Sequence, residues 1–499
     1  MSYVIGVDLG TSAVKLLLVN PSGEVVEEVS KEYPLYQEKT GYSEQNPEDW
    51  VEQTIAGLKE LVDKFSGNPS DIEGMSFSGQ MHGLVLLDEN NHVLRNAILW
   101  NDTRTTEQCQ KINEMVGQEK MIQITKNPVL EGFTLPKMIW VQENEPELFR
   151  KAKTFVLPKD YLRFRLTNEL HMEYSDAAGT SMLDIHAKKW SKEICDTFGW
   201  DLSFCPPLVN SHDHVGTLTK DVAERTGLSE HTDVFAGGAD NACGAIGSGI
   251  LSEGKTFASF GTSGVVLSYE PTGDKDYQGK VHYFNHGEPN AYYAMGVTLS
   301  AGYSLSWFKN TFAQDEDFDQ LLDGIGDVPV GANGLLFTPY IVGERTPHAD
   351  ADIRGSFIGM DHSHTMKDFA RAVLEGITFS LHESIAIFRE NGKQIDTIYS
   401  IGGGAKNPDW LQMQADIFNA NVVKLKTEQG PGMGAAMLAG YGVGWYDSLK
   451  QAADKILEAA ETYQPIPNHV TQYQKLFPLY QHVYSETKGL NQSLMEFRK

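Results

Sequence analysis

Cysteine is scarce in this 499-residue chain, and positive charge is outnumbered. The four cysteines, Cys109, Cys195, Cys205 and Cys243, form no C-x-x-C pair, and none stands at finger spacing from a second zinc ligand. A disulfide framework and a structural zinc site are both excluded, and a reduced, cytoplasmic protein is the expectation. The 41 Lys and Arg face 67 Asp and Glu, a formal net charge of −26. A field of that sign repels phosphate backbones and argues against a nucleic acid or an anionic membrane surface as partner. Any polyanionic ligand must then be held by local N–H groups and a divalent cation. Long hydrophobic runs are missing as well, and the N-terminus has no basic segment followed by an apolar one, so neither export nor membrane insertion is expected. No low-complexity linker interrupts the chain. Its length calls for two cores, and the boundary between them is expected at a hinge near residue 246, dividing 1–245 from 246–499.

What is there alternates between strand-like and helix-like segments, the pattern of an α/β protein. Residues 3–8, 13–19 and 24–32 read as a three-strand meander. A helix from Pro47 to Phe65 follows, with Trp50, Val51, Ile55, Leu58, Leu61 and Val62 at helical spacing and Pro47 in its first turn. Ile72 to Ser78 is strand-like. Helices are expected around 103–116, 134–144, 158–166 and 190–198, as an elaboration of the first domain. The second half restarts with strands near 256–270, a long helix near 366–390 and a strand at 396–401 that runs into Gly402-Gly403-Gly404.

One short phrase nearly repeats. Val4-Ile5-Gly6-Val7-Asp8-Leu9-Gly10-Thr11-Ser12 opens the chain, and Ala258-Ser259-Phe260-Gly261-Thr262-Ser263-Gly264 returns near its middle. Each Gly-Thr-Ser lies between two apolar runs and reads as a tight hairpin turn, whose bare N–H groups and hydroxyls can cradle a phosphate. Two such turns point to one nucleotide held between related halves. A literal Walker A match, Gly249 to Thr256, has a helix-like segment before it and a strand-like one after it, the reverse of a working P-loop. It reads as a helix-to-strand turn. Gly402-Gly403-Gly404-Ala405-Lys406-Asn407 lacks the third glycine of a dinucleotide fingerprint but leaves room for a ribose or a flat ring against the backbone.

Three further segments can carry chemistry. Asp240 and Asn241 stand among small residues at the expected hinge, where Asp240 is either a general base for phosphoryl transfer or the cap of a helix over 240–250. Gly79-Gln80-Met81-His82-Gly83 follows a strand, the place where open α/β sheets bind small ligands, although His82 also suits an ordinary turn. Trp100-Asn101-Asp102-Thr103-Arg104 could grip a polyol or start a helix.

Together these segments resemble the FGGY family of carbohydrate kinases, over essentially the whole chain from Val4 to about Tyr446. Gly132-Phe133-Thr134-Leu135-Pro136-Lys137-Met138-Ile139-Trp140 and the run from Gly355 through Asp368 to Glu375 are similar to the family's signatures. Gln80-Met81-His82-Gly83, Ile98-Leu99-Trp100-Asn101-Asp102 and Gly343-Glu344-Arg345-Thr346-Pro347-His348 look like its D-xylulose-phosphorylating members. Thr103 and Ala239 depart from them, standing where glycine is frequent. The resemblance implies two actin-like domains of ribonuclease-H type, mixed β-sheets flanked by helices, closing on ATP and sugar in a cleft between them. It implies Asp240 as the base for the C5 hydroxyl of D-xylulose, and Met81, His82, Asn241, Trp100 and Asp102 on the sugar. Asp8 would orient hydrated Mg²⁺. Thr11, Ser12, Gly261 and Thr262 would line the phosphates, and Gly403, Gly404, Ala405 and Asn407 the adenosine. A homodimer is the implied assembly. The competing expectations are a member acting on another ketopentose or polyol, such as ribulose, and an actin-like or chaperone-like ATPase.

Overall fold

The computed structural model describes residues 2–498. Two seven-stranded mixed sheets organise it, and their central strands follow one plan. In the first sheet, Tyr3–Leu9 pairs antiparallel with Ala13–Val19, which pairs antiparallel with Val25–Glu32. On its other side Tyr3–Leu9 runs parallel to Ile72–Gly79, with Leu9 beside Gly79. In the second sheet, Lys255–Phe260 pairs antiparallel with Gly264–Glu270, which pairs antiparallel with Tyr292–Thr298. On its other side Lys255–Phe260 runs parallel to Thr397–Gly402, with Phe260 beside Gly402. The two Gly-Thr-Ser turns therefore occupy equivalent places, each just past the carboxyl end of a central strand whose parallel neighbour also ends on glycine. Open sheets of this kind bind ligands at that edge.

The helices form where the sequence pattern places them. Pro47–Lys64 starts on Asn46, whose side chain accepts from the Glu48 N–H, and buries Trp50, Val51, Ile55, Leu58, Leu61 and Val62. Thr106–Met115, Thr134–Asn144, Pro158–Thr167 and Lys192–Thr197 fill the middle of the chain. Met366–Glu390 buries Val373, Ile377, Leu381, Ile385 and Phe388 against the second sheet. The segment Gly249 to Thr256 is the connection from the helix Asp240–Gly247 into the strand Lys255–Phe260, so it has no strand-then-helix geometry for a P-loop. No helix among the described residues is long and apolar enough to cross a membrane. The four cysteines are buried and free, with the sulfurs of Cys195 and Cys205 3.8 Å apart.

One element crosses between the halves. The helix Gly430–Gly442 lies in sequence between two strands of the second sheet, Asn421–Leu425 and Ala459–Tyr463, but packs on Tyr3–Leu9 and Ile72–Gly79 of the first, and against the helix Asp240–Gly247. Glycine permits these crossings. A Cβ on Gly434 would lie 1.9 Å from the Cys243 carbonyl oxygen, and one on Gly6 2.2 Å from that of Gly432. The interface carries its own apolar cluster, including Val4, Leu17, Ile246, Met433, Met437 and Leu449.

Candidate active site

The first turn is braced from behind. Gly10 N–H donates to the Ala13 carbonyl at 3.0 Å, and the Tyr33 hydroxyl donates to the Gly10 carbonyl. Gln45 Nε2 donates to the Thr11 carbonyl at 2.6 Å, while its Oε1 accepts from Trp50 Nε1 at 3.0 Å and Gln80 Nε2 at 3.1 Å. With these carbonyls held, the Ser12 side chain and the turn's remaining N–H groups are free to face a ligand. Ser12 is exposed, and Thr11 Oγ1 accepts from Trp100 Nε1 at 3.0 Å.

The second turn borders a cavity of about 450 Å³ lined by Gly261, Thr262, Tyr303, Gly403, Asn407 and Trp410, among others. That is the size range of a cofactor-sized organic ligand. Asn407, in the cavity wall, caps the helix Pro408–Phe418 by accepting from the Trp410 N–H at 2.9 Å. Gly404 and Ala405 were expected beside Gly403 on this wall, but they are buried behind it in a short turn. A Cβ on Gly404 would strike the Phe260 ring, and Gln414 bonds the Gly404 carbonyl at 3.0 Å.

A smaller cavity of about 240 Å³ lies beside the second turn, because Ser263 forms part of its wall. Met81, His82, Trp100, Asp240 and Asn241 all line it, so five of the six residues expected on the sugar side converge there. Asp102 does not. Its oxygens are committed to Arg104 Nε at 2.9 and 3.0 Å, Arg104 Nη2 at 2.6 Å and the Ser43 N–H at 2.7 Å, and it borders an adjoining hollow of about 350 Å³ instead. Two hydrogen-bonding neighbours on one carboxylate make Asp102 a support of the Trp100 loop.

His82 sits in the left-handed region at φ 69°, its ring against Phe133 with centroids 4.4 Å apart. Burial pushes its imidazole down to about 3, so it is neutral. Nδ1 lies 2.7 Å from the Gly179 carbonyl, which accepts only, so Nδ1 carries the proton and Nε2 is left as an acceptor. Lys137, on the helix Thr134–Asn144, fixes the same loop by donating to the His82 carbonyl at 3.0 Å and the Gly132 carbonyl at 2.6 Å. Burial lowers this ammonium to about 7.

Asp240 is the first residue of its helix, not the cap. Ala239 holds the cap position with no side-chain bond, and Asp240 Oδ1 accepts from the neighbouring Asn241 N–H at 2.6 Å. Burial, then the charge of Asp8, pushes Asp240 up to about 7. Asp8 is itself raised by burial, opposed by Ser78 and by Lys15, its cross-strand partner. The strand leading into Asp240 hangs from a buried ionic cluster. The Ala239 N–H donates to Ser175 Oγ at 2.8 Å, and Ser175 donates to Glu173 Oε2 at 2.6 Å. Lys159 pairs with Asp160 at 2.8 Å and Asp176 at 3.3 Å, and Arg163 Nη1 donates to the Ala236 carbonyl at 2.9 Å.

Several cavity residues had no role read from sequence, among them Phe133, His282, Phe284 and Arg345. Phe133 and Arg345 belong to the two motifs Gly132–Trp140 and Gly343–His348, which carried a signal without a function. His282 and Phe284 lie on a strand with no motif at all.

Residues 3–247 match the N-terminal domain of the FGGY family of carbohydrate kinases, and residues 256–443 its C-terminal domain. The xylulose kinase of Bacillus subtilis (strain 168) is 62% identical over 499 residues, 100% of both chains. That of Escherichia coli (strain K12) is 37% identical over 446 residues, covering 87% of this chain and 89% of that one. Ligand-bound xylulose kinase from Lactobacillus acidophilus has a TM-score of 0.93 at 29% identity, covering 98% and 99% of the two chains. Gluconate kinase from the same organism has a TM-score of 0.92, also at 29% identity, covering 97% and 98%. The first match covers the first sheet and the second match the central strands of the second, and the chain belongs to the FGGY family of carbohydrate kinases.

Proposed function

We propose that this chain transfers the terminal phosphoryl group of ATP to the C5 hydroxyl of D-xylulose, releasing ADP and D-xylulose 5-phosphate. One observation carries the reading: Asp240 stands in a small cavity that abuts the second Gly-Thr-Ser turn, so an alcohol against the carboxylate faces a phosphate in that turn. In the reaction, Asp240 takes the hydroxyl proton, the alkoxide oxygen forms the new P–O bond, and the bond to the ADP oxygen breaks. His82 Nε2 accepts from a sugar hydroxyl and fixes the acceptor's orientation. The N–H groups of Gly261 and Thr262 and the turn at Thr11 and Ser12 stabilise charge on the transferred group. The helix Gly430–Gly442 and the helix Asp240–Gly247 form the crossing about which the two halves close, which excludes water from the reacting centre.

Burial raises both Asp8 and Asp240, the charge of Asp8 raises Asp240 further, and both carboxylates suit a divalent cation. Among the described residues no group of three or more His, Cys, Asp or Glu side chains converges on one point. The fit is therefore to Mg²⁺ that keeps most of its water, held by Asp8 through that water. When bound, Mg²⁺ supplies neutralisation of the phosphate oxygens. The reading extends to self-association, supported by Leu479, Leu490, Leu494 and Phe497, which the last helical segment exposes. Sedimentation of the purified chain tests it.

The test of the reaction is ADP release with and without D-xylulose, in the native protein and in Asp240→Asn. Release that needs the sugar and collapses in the variant supports the proposal. Sugar-independent turnover, or an Asn variant as active as the native protein, overturns it. Pentuloses differing at one stereocentre differ by about 1–3 kcal/mol in such a pocket, so a competition panel of pentuloses fixes the preferred sugar.

A further inference from the structure

The smaller cavity is rich in groups that accept hydrogen bonds. His82 Nε2 is an acceptor for the reason given above. His282 is the same: its Nδ1 faces Asn127 Oδ1 at 3.3 Å, and that oxygen is the acceptor because Asn127 Nδ2 donates to the Thr125 and Tyr283 carbonyls at 2.8 and 2.7 Å. Nδ1 of His282 therefore carries the proton, and Nε2 is bare. Asp240 accepts as well. Trp100 Nε1, a donor, is committed to Thr11. Asn241 and Ser263 can donate, but the first adjoins Asp240 and the second belongs to the phosphate turn, so both serve the reacting end.

Arg345 comes from the other half of the molecule. It borders the cavity together with Trp100, Leu130 and Gly132 on the side that opens into the neighbouring hollow, whereas Asp240 and Asn241 border the cavity alone. Its backbone is fixed on both sides. Glu344 Oε1 accepts from the Leu299 N–H at 3.0 Å and the Arg345 N–H at 2.7 Å, and Glu344 Oε2 accepts from Ser380 at 3.1 Å. The Val297 N–H donates to Thr346 Oγ1 at 3.1 Å, and the Thr346 N–H returns to the Val297 carbonyl at 3.0 Å. The guanidinium, by contrast, has no hydrogen bond or ion pair with any described residue. A planar donor with five N–H groups thus stands exposed at the mouth of the pocket on a fixed backbone, with the charges of Glu344 and Glu131 nearby but no hydrogen bond to either.

A ketone oxygen has lone pairs and no proton, so it finds no partner in the bare histidine nitrogens or in a carboxylate. We infer that the Arg345 guanidinium donates to the carbonyl oxygen of an open-chain ketose, making Arg345 the residue that selects a ketose over the corresponding alditol. The inference rests on the proposed sugar kinase reading and deepens it. The reduced sugar carries a hydroxyl at the same carbon, and that hydroxyl can donate to His82 or His282. It depends less on the guanidinium.

The experiment uses the full chain with Arg345→Met, which keeps side-chain bulk without donors, and Arg345→Lys, which restores a charge and donors. The readouts are kcat/KM for D-xylulose and the inhibition constant of xylitol against it, with KM for ATP and the melting temperature as checks on folding. Loss of a charged hydrogen bond predicts a fall of about 10- to 100-fold in kcat/KM for D-xylulose in Arg345→Met, partial recovery in Arg345→Lys, and a change of less than about 5-fold in xylitol inhibition. Equal losses for ketose and alditol, or no loss for either, overturn the role of Arg345. A native protein that turns over no D-xylulose overturns the kinase reading itself, so the two failures are told apart. If Arg345→Met melts early, Arg345→Lys and Arg345→Gln in the same ratio decide the matter.

Discussion

Asp240 and His82 are tuned in opposite directions by the same cause, since burial favours whichever form of a side chain is neutral. His82 is thereby kept as an acceptor at every working pH, while Asp240 is placed to change its charge near neutrality. Activity should rise with pH through about 7 as Asp240 loses its proton, and a pH profile of kcat/KM checks this. The same shift has a stability consequence of opposite sign. Its folded pKa of about 7 exceeds the unfolded value of 3.8, so this group's contribution is fully present below pH 4 and is lost as pH rises through 7. Asp240→Asn removes the buried charge. The variant should lose about 10²- to 10⁴-fold in kcat yet gain about 1–2 kcal/mol of stability at pH 8, with less gain at pH 5, as read by thermal unfolding at the two pH values. At this scale the motifs left Asp240 and His82 open and the family resemblance put them with Met81 on the sugar; the structure brings all three to one cavity. The sequence did not mark His282, whose Nε2 is left bare only because Asn127, far away in sequence, turns its proton inward. Nor did it show that Asp102 is consumed by Arg104, since a carboxylate two residues from a guanidinium is free or paired depending on how the loop bends.

Among the elements, the strand and loop before Asp240 depend most on distant support. Ser175 receives the Ala239 N–H on a helix otherwise devoted to a buried charge cluster, so Ser175→Ala leaves a buried donor unmade at a cost of about 1–3 kcal/mol. Displacement of the adjacent carboxylate is expected to lower kcat about 10- to 100-fold while KM for ATP holds, since the nucleotide cavity shares no residue with this support. Steady-state kinetics with each substrate varied in turn distinguish this from general unfolding. The crossing of Gly430–Gly442 over Asp240–Gly247 gives a second expectation. Gly434→Ala places a methyl group against the Cys243 carbonyl and should destabilise the protein by about 1–3 kcal/mol, read as a lower midpoint in denaturant titration. Most of these elements were legible in the sequence because hydrophobic period and caps are local properties: the helix Pro47–Lys64 and the strand Ile72–Gly79 fall within a residue of expectation. The docking of Gly430–Gly442 on the first sheet was not, because an all-round apolar, glycine-rich helix carries no mark of which sheet it will cover.

The whole molecule is two sheets of one plan, with a nucleotide-sized cavity on one and the wall of an acceptor cavity shared between both. A sugar in the shared cavity and a nucleotide whose terminal phosphate reaches the first turn, as proposed above, favour the same closed arrangement. Stabilisation by D-xylulose together with a non-hydrolysable ATP analogue should therefore exceed the sum of their separate effects, each worth about 2.7 kcal/mol at a hundredfold excess over Kd. Thermal unfolding with neither, either and both ligands measures this, and strictly additive shifts would show that the halves bind independently.

The repeated Gly-Thr-Ser phrase determined by itself that the fold is built from two related halves. Turn chemistry and strand alternation are written in adjacent residues, and a repeat of them is visible without coordinates. Only the tertiary structure decided which side chains share a cavity and which donors remain unspent there. Arg345, His282 and Asp240 lie far apart along the chain, and their meeting depends on sheet order and on one helix crossing back, neither of which local sequence encodes.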